Sequence, residues 1–222
     1  MIGLWRAGSI VVSCQARADS PLHGPGPMAM MARAAVEGGA AAIRANGPRD
    51  VAAIRAAVDV PILGIHKLGD PAGVFITPTP DAAAEVVAAG AHAVAIDGTL
   101  RPRPDGRSLR EHVAEIHERL GVVVMADCDG VESGLAAREA GADIVATTLA
   151  GYTGGGPPPD RPDVDLVRTL AATLDCPIVA EGRYWTPEDV RDGFAAGADA
   201  IVVGTAITNP AAITRRFTVV AP

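Results

Sequence analysis

Lysine is almost absent from this chain of 222 residues, which contains 18 arginines and a single lysine, Lys67. Arginine supplies positive charge and bidentate hydrogen bonds but keeps its proton near neutral pH, whereas a lysine in a low-dielectric site can lose its proton and act as a base or nucleophile. A lysine retained by chance is equally compatible with this composition. The position of Lys67 at the end of the apolar run PILGIHK (61–67) favours the functional interpretation.

Aromatic residues and excess positive charge are also scarce. Aromatics make up 3% of the chain while hydrophobic residues make up 49%, so the core must be built from Val, Ile, Leu and Ala. The formal net charge of -7 argues against general nucleic-acid binding, because a phosphate-backbone partner requires a basic surface. We therefore expect any anionic ligand to be bound by local arginines or backbone N–H groups.

Cysteines and long apolar runs are few as well. The three cysteines, Cys14, Cys128 and Cys176, form no CxxC pair, which is more typical of a reduced cytosolic protein than of a disulfide or zinc framework. No apolar run approaches the roughly 18 residues that a membrane span requires, and the N-terminus has no cleavable signal pattern. We expect a soluble cytoplasmic protein that binds no membrane.

Short β-branched runs alternate with Ala-rich amphipathic stretches along the chain, and this alternation is typical of parallel strands joined by helices. Four repeats, EGGAAAI, AAGAHAV, EAGADIV and AAGADAI, each place a glycine at a helix end before a strand. The pattern predicts strands at 10–15, 40–46, 61–67, 93–99, 122–128, 143–149, 177–183 and 200–206. It predicts helices near 27–38, 48–58, 80–90, 108–120, 130–140, 163–174, 186–196 and 210–216.

This order of elements predicts an α/β protein, a single (β/α)₈ TIM barrel domain that covers residues 1–222. The segment VFITPT (74–79) is interpreted as an extension of the third βα loop. Active sites of such barrels lie at the C-terminal ends of the strands. Polar side chains end seven of the eight strands here, and we interpret them as an active site in preference to an ion-pair network that only braces the rim. They are Ser13, Gln15, Arg44, Asn46, Lys67, Asp97, Asp127, Thr147, Thr148, Glu181 and Arg183.

The chain resembles the N-acylglucosamine-6-phosphate 2-epimerase family, also called the N-acetylmannosamine-6-phosphate 2-epimerases, from about Ser9 to Phe217. The resemblance rests on strings that occur in order along the chain. They are VSCQA (12–16), PLH (21–23), GGAAAIRANG (38–47), PILGIHK (61–67), VFITPT (74–79), RPRP (101–104), MAD (125–127), TTLAGYT (147–153), VAEGR (179–183), VVG (202–204) and RRF (215–217).

The resemblance implies an isomerase that interconverts N-acetylmannosamine 6-phosphate and N-acetylglucosamine 6-phosphate in the breakdown of amino sugars and sialic acid. It implies that Lys67 is the catalytic lysine and Glu181 its acid/base partner, and it suggests a homodimer. It also implies a set of residues around the sugar: Gln15, Arg44, Asp127, Thr148 and Tyr152.

Epimerisation at C2 of an open-chain aldose removes the proton next to the C1 carbonyl and returns a proton to the other face. A neutral Lys67 can abstract that proton if burial and Arg44 lower its pKa, although Glu181 and Asp127 oppose this shift, and the sequence leaves the net direction open. Arg44 or Gln15 is expected to stabilise the oxyanion, and a protonated Glu181 to supply or relay the second proton. We expect no cofactor and no metal.

A substrate phosphate is expected after strands seven and eight, where Gly182, Arg183, Gly204 and Thr205 can offer backbone N–H groups and one cation. The chain departs from the family pattern here, because it reads GTAITNP where the family often reads GxAITR. Asn209 is interpreted mainly as an N-cap for the helix that begins at Pro210.

Two other functions remain open. A barrel with one buried lysine can be a Schiff-base lyase or aldolase, in which the amine attacks a carbonyl group. A non-catalytic barrel that binds sugar phosphates is the second, because fold alone does not fix function. Among the histidines, we expect His23 near the substrate, His66 toward the helix layer, and His112 and His117 on a solvated helix.

Overall fold

Eight parallel strands form a closed barrel in the computed structural model, which describes residues 3–154, 156 and 159–220. Each strand pairs with the next one in the chain, and Ser9 to Val12 pair with Ala200 to Val203 to close the barrel. The predicted (β/α)₈ barrel is therefore confirmed. The strands are β1 (Ser9–Cys14), β2 (Ala42–Asn46), β3 (Ile62–Ile65), β4 (Ala93–Asp97), β5 (Val123–Asp127), β6 (Ile144–Ala146), β7 (Ile178–Glu181) and β8 (Ala200–Val203).

Helices follow every strand and lie outside the barrel. They are α1 (Pro25–Glu37), α2 (Pro48–Arg55), α3 (Pro80–Ala88), α4 (Leu109–Leu120), α5 (Val131–Glu139), α6 (Val164–Thr173), α7 (Pro187–Ala195), α8 (Thr205–Thr208) and α9 (Pro210–Thr218). The end of the predicted eighth strand is wrong, because the chain leaves the extended conformation at Gly204 and Thr205 begins the helical turn α8. Asn209 caps α9 as predicted, since its Oδ1 accepts a hydrogen bond from the Ala212 N–H at 3.0 Å.

The repeated glycines end helices in the way the sequence predicts. Their φ angles lie between 99° and 107°, in the left-handed region where a side chain would be strained. These glycines are Gly39, Gly90, Gly141 and Gly197. Each one turns the chain from a helix into the following strand, so the same motif sets the direction of four of the βα units.

Aliphatic side chains fill both layers of the core. One layer lies inside the barrel and includes Leu63, Met125 and Val179, while the other fills the space between strands and helices and includes Ile43 and Leu170. All five of these residues are fully buried. No helix in the described part of the chain is long and apolar enough to span a bilayer.

The segment 74–79 lies in the connection between β3 and α3, as predicted. It folds back so that Ile76 pairs with Lys67 in an antiparallel bridge. The prediction for His66 is confirmed by its approach to Glu85 of α3, at 3.3 Å from Nδ1 to Oε2. The prediction that His112 is solvated is wrong: it is 2% exposed, because the β4–α4 loop folds over it and brings Asp105 Oδ2 to 2.8 Å from its Nε2.

Candidate active site

An arginine and two carboxylates meet at the C-terminal mouth of the barrel. Arg44 of β2 donates two hydrogen bonds to Asp127 of β5, at 3.0 Å from Nη1 to Oδ1 and 2.5 Å from Nη2 to Oδ2. Its Nη1 also donates to Glu181 Oε2 of β7 at 2.5 Å. Arg44 is 1% exposed and Asp127 is completely buried. Buried charges are tolerated when they are paired and hydrogen-bonded, and both Nη groups of Arg44 meet this condition. The buried Nε of Arg44 has no hydrogen-bond partner among the described residues.

Thr148 joins the two carboxylates. Its hydroxyl donates to Asp127 Oδ1 at 2.6 Å and lies 3.3 Å from Glu181 Oε2. One arginine thus faces two acidic groups, so the network carries an excess negative charge when both are ionised. A proton on Glu181 or a positive charge on a neighbouring group would neutralise that excess.

Lys67 is the neighbouring cationic group. Its main-chain N–H donates to Asn46 Oδ1 at 2.9 Å, and its Nζ lies 6.0 Å from the centre of the Phe75 ring. Lys67 is exposed where it opens onto the pocket, but the protein around its amine partly desolvates it, and this lowers its pKa from the ordinary value. Arg44 lowers the pKa further, while Glu181 and Asp127 oppose the shift. The direction that the sequence left open is therefore downward, toward the neutral amine.

The pKa of Glu181 moves in the opposite direction. Burial raises it and the charge of Asp127 adds to the effect, whereas Arg44 and Lys67 oppose it. The main chain of Glu181 is fixed by Thr147, whose Oγ1 lies 3.1 Å from both the N–H and the carbonyl oxygen of Glu181. A glutamic acid that retains its proton at higher pH can donate it to a reacting group.

A pocket of about 920 Å³ opens above this network. The predicted residues that line it are Gln15, Lys67, Thr148, Tyr152, Glu181, Gly182, Arg183, Gly204 and Thr205, and His23 also lines it. Arg44 and Asp127 lie beneath its floor, since they are buried and are not among the lining residues. Their contact with substrate stays a prediction, but their position suits a role exerted through Glu181 and Lys67.

Two predicted residues already have hydrogen bonds within the pocket wall. Gln15 donates from Nε2 to Ser13 Oγ at 2.7 Å. Arg183 has a left-handed backbone conformation, with φ at 62°, and its guanidinium donates to the carbonyl oxygens of Ala150 at 2.6 Å and Arg161 at 2.7 Å. It also stacks on Tyr152 at 5.3 Å from the ring centre. Arg183 therefore holds the β6–α6 connection against the end of β7.

Several lining residues received no role from the sequence. Asn46 was selected as a polar strand end by the same rule as Lys67, but it was given no part in the chemistry. The others, Phe75, Ile76, Trp185 and Arg215, come from loops or from α9, whose approach to the pocket depends on the folded chain. No group of three or more His, Cys, Asp or Glu side chains suited to a metal ion occurs among the described residues.

Comparison with known proteins places this geometry in a family. The family described as "NanE: Putative N-acetylmannosamine-6-phosphate epimerase" matches residues 28–221. The chain belongs to this family. A relative from Cutibacterium acnes, named "Putative N-acetylmannosamine-6-phosphate 2-epimerase", is 51% identical over 95% of this chain and 93% of its own length. A relative of the same name from Caldanaerobacter subterraneus is 46% identical over 94% of this chain and 89% of its own length.

Solved structures agree with the family assignment. The N-acetylmannosamine-6-phosphate 2-epimerase of Clostridium perfringens superposes with a TM-score of 0.92 at 40% identity, over 97% of this chain and 94% of that chain. A thiamine phosphate pyrophosphorylase from Pyrococcus furiosus superposes with a TM-score of 0.61 at 18% identity, over 93% of this chain and 90% of that one. The second likeness shows the barrel fold alone.

Proposed function

We propose that Lys67 and Glu181 carry the proton transfers by which this protein, a carbohydrate-phosphate 2-epimerase of the isomerase class, interconverts N-acetylmannosamine 6-phosphate and N-acetylglucosamine 6-phosphate. One observation carries the assignment of roles. The only lysine and a half-buried glutamate line one pocket around a shared arginine, and their pKa values are moved in opposite directions. Two titratable groups displaced in this way make a matched base and acid.

The reaction begins with the open-chain sugar in the pocket. The neutral Lys67 amine removes the proton at C2, and the electron pair of that C–H bond forms the C1–C2 double bond while the carbonyl oxygen becomes an enolate oxygen. We assign stabilisation of this oxygen to Gln15, whose amide lines the pocket and has one Nε2 hydrogen beyond the bond to Ser13. Glu181 then returns a proton to C2 from the other face as the enolate reverts to the C1 carbonyl. Before the next turnover Lys67 loses its proton to solvent and Glu181 takes one up.

Arg44 has a different part in this mechanism. Its guanidinium is occupied by Asp127 and Glu181 beneath the pocket floor, so we assign it no direct bond to the sugar. Its charge disfavours protonation of Lys67 and holds the Glu181 carboxyl in place. Asp127 and Thr148 anchor Arg44 and Glu181 from the other side, and the four side chains act as one unit.

The phosphate is assigned to the ends of β7 and β8. Gly182 and Gly204 bring backbone close to the pocket there, and Thr205 begins the turn α8. Arg183 uses Nε and Nη1 for carbonyl oxygens, and within the described residues its Nη2 makes no hydrogen bond, which leaves a donor for a phosphate oxygen. This arrangement supports a sugar phosphate as the substrate class.

Heavy water tests the proposed function. Incubation of N-acetylmannosamine 6-phosphate with the protein in heavy water should yield N-acetylglucosamine 6-phosphate that carries deuterium at C2 and an intact carbon skeleton. A Schiff-base lyase would instead be trapped on Lys67 by borohydride and release a three-carbon fragment, and a binding barrel would do neither. Lys67→Arg is the matched control and should incorporate almost no deuterium. No conversion by well-folded protein would overturn the proposal.

We also infer that residues 1–222 form a single domain that assembles as a cytoplasmic homodimer. Helix α9 supports the assembly, because none of its residues is buried and Phe217 is 71% exposed. Val219 and Val220, which follow α9, are 75% and 79% exposed and extend this apolar surface. A second copy of the chain would remove it from water. The cytoplasm suits a substrate that carries a phosphate ester, because its charge keeps it from crossing membranes.

A further inference from the structure

Lys67 lies beyond the regular part of its strand. β3 ends at Ile65, and its pairing with β4 covers only Leu63 with Ala93 and Gly64 with Val94. Past this point the two strands separate, and residues 76 and 77 of the β3–α3 connection enter the gap. The Asp97 N–H of β4 donates to the Ile76 carbonyl oxygen at 2.9 Å, so the inserted segment replaces β3 as the partner of β4.

Thr77 closes the other side of the gap. Its hydroxyl donates to the Ala95 carbonyl oxygen of β4 at 2.7 Å and accepts from the His66 N–H at 3.0 Å. The Thr77 N–H donates in turn to the His66 carbonyl oxygen at 2.9 Å. The Thr77 hydroxyl therefore ties the N–H of the residue before Lys67 to the wall of the barrel, while the Thr77 main chain holds the His66 carbonyl oxygen.

The backbone of Thr77 adds a second observation. Its φ is 47°, and it is one of two non-glycine residues with positive φ in the described part of the chain. It is also 2% exposed. A β-branched residue is strained in this conformation, and glycine or asparagine would adopt it more readily. Strained residues persist where the surrounding structure holds them and tend to cluster at functional sites.

We propose that Thr77 is a positioning residue for the reaction, and that its hydroxyl fixes the main chain at His66 and so the place of the Lys67 amine above Arg44 and beside Glu181. The proposal rests on the assignment of Lys67 as the base. Thr77 lies behind the pocket wall and needs no contact with the sugar, because it acts through the two residues that follow Ile65. It gives Lys67 the rigidity that a strand ladder gives to Glu181.

The environment of Lys67 makes its position measurable. Burial and Arg44 of β2 lower its pKa, and Glu181 of β7 and Asp127 of β5 raise it, while the Phe75 ring of the inserted segment is uncharged. A shift of the amine toward solvent would weaken burial, the largest of these effects, and return the pKa upward toward its ordinary value. Because the chain has one lysine, incorporation of ε-¹³C-lysine gives a single side-chain resonance whose titration reports this pKa.

Three substitutions test the proposal. Thr77→Val keeps the shape but removes the hydroxyl, and we expect kcat to fall about 10- to 100-fold with KM within about twofold, the loss expected from a small misplacement of a catalytic group. The Lys67 pKa should rise. Thr77→Ser retains the hydroxyl and should restore both values. Thr77→Gly relieves the backbone strain but also lacks the hydroxyl. It should show the same loss of kcat and the same rise in the Lys67 pKa, and it replaces Thr77→Val in the test if the valine protein does not fold.

Thr79→Val is the matched control in the same segment. Thr79 Oγ1 caps α3 by accepting from the Ala82 N–H at 3.2 Å, so this change should lower the melting temperature without altering kcat or the Lys67 titration. Wild-type kcat and an unshifted resonance in a folded Thr77→Val or Thr77→Gly protein would overturn the proposal, as would an equal shift in Thr79→Val. Absence of epimerase activity in the wild type would overturn the proposed function instead, while the titration would still decide the role of Thr77.

Discussion

The mouths of β3 and β7 each present one of the two residues proposed to transfer protons, but they hold them differently. Glu181 is the last residue of its strand, in register with Val202 of β8, and Thr147 fixes both of its main-chain polar groups. Lys67 lies two residues past Ile65 and depends on an inserted segment. The carboxyl group is thus positioned by the strand pairing of the closed barrel, whereas the amine is positioned by a segment of the β3–α3 connection that inserts beside β4.

Electrostatics differ between the two mouths as well. Glu181 accepts a direct hydrogen bond from the buried Arg44, while Lys67 is influenced by the same network only through space. Removing a partner from a buried, hydrogen-bonded ion pair leaves an uncompensated charge and costs stability, whereas a change at Lys67 leaves that pairing intact. We therefore expect substitutions at the β7 mouth to affect both turnover and stability, and substitutions at the β3 mouth to affect turnover alone.

The largest effect is expected at Lys67. Lys67→Arg and Lys67→Ala should each lower kcat by about 10² to 10⁴, the range typical of a lost general base. Arginine keeps its proton near neutral pH, and alanine has no group that can accept one. Steady-state rates with N-acetylmannosamine 6-phosphate measure this loss, and thermal unfolding should show a melting temperature close to that of the wild type. Near wild-type turnover in folded Lys67→Arg would remove Lys67 from the mechanism.

At the β7 mouth, Glu181→Gln tests whether chemistry and stability are coupled there. The amide keeps size and polarity but loses acid/base capacity, so kcat should fall by about 10² or more. Arg44 retains Asp127 as a partner, so we expect the protein to stay folded at the assay temperature with only a small decrease in melting temperature. Glu188 forms an exposed ion pair with Arg191 on α7. Glu188→Gln is therefore the matched control and should change neither kcat nor the melting temperature. Inactivity explained wholly by unfolding would leave Glu181 a bracing residue.

The smallest effect is expected at Arg183, which separates binding from chemistry within the same mouth. Arg183→Ala should raise KM about 10-fold and change kcat less, because the phosphate is remote from C2. The size of the effect follows from the loss of a hydrogen bond to a charged group, which weakens binding by roughly 10- to 100-fold. Inorganic phosphate should inhibit the wild type competitively and the variant more weakly. Arg191→Ala, an exposed arginine on α7, is the control. A loss confined to kcat would show that Arg183 acts on the reacting end of the sugar.

Sequence patterns located most of the fold and the two central residues for physical reasons that are local. The glycines of the four repeats need positive φ whatever surrounds them, so they mark helix ends reliably. The rule that barrel strands end at the active site then gathered Lys67, Glu181 and Gln15 at one mouth. The same rule could not tell which polar strand ends face the pocket, and Arg44 and Asp127 proved to lie under its floor.

The sequence by itself therefore determined the βα alternation, the residues available for chemistry and the family resemblance, because these depend on the order of residue types along the chain. Only the tertiary structure decided the direction of the Lys67 pKa shift, the burial of His112 and the contacts of Thr77. Each of these depends on contacts that form only when loops and strands come together in the folded chain. The pKa of Lys67 follows from the balance of burial, Arg44 and two carboxylates on three other strands, and the folded chain alone fixes that balance.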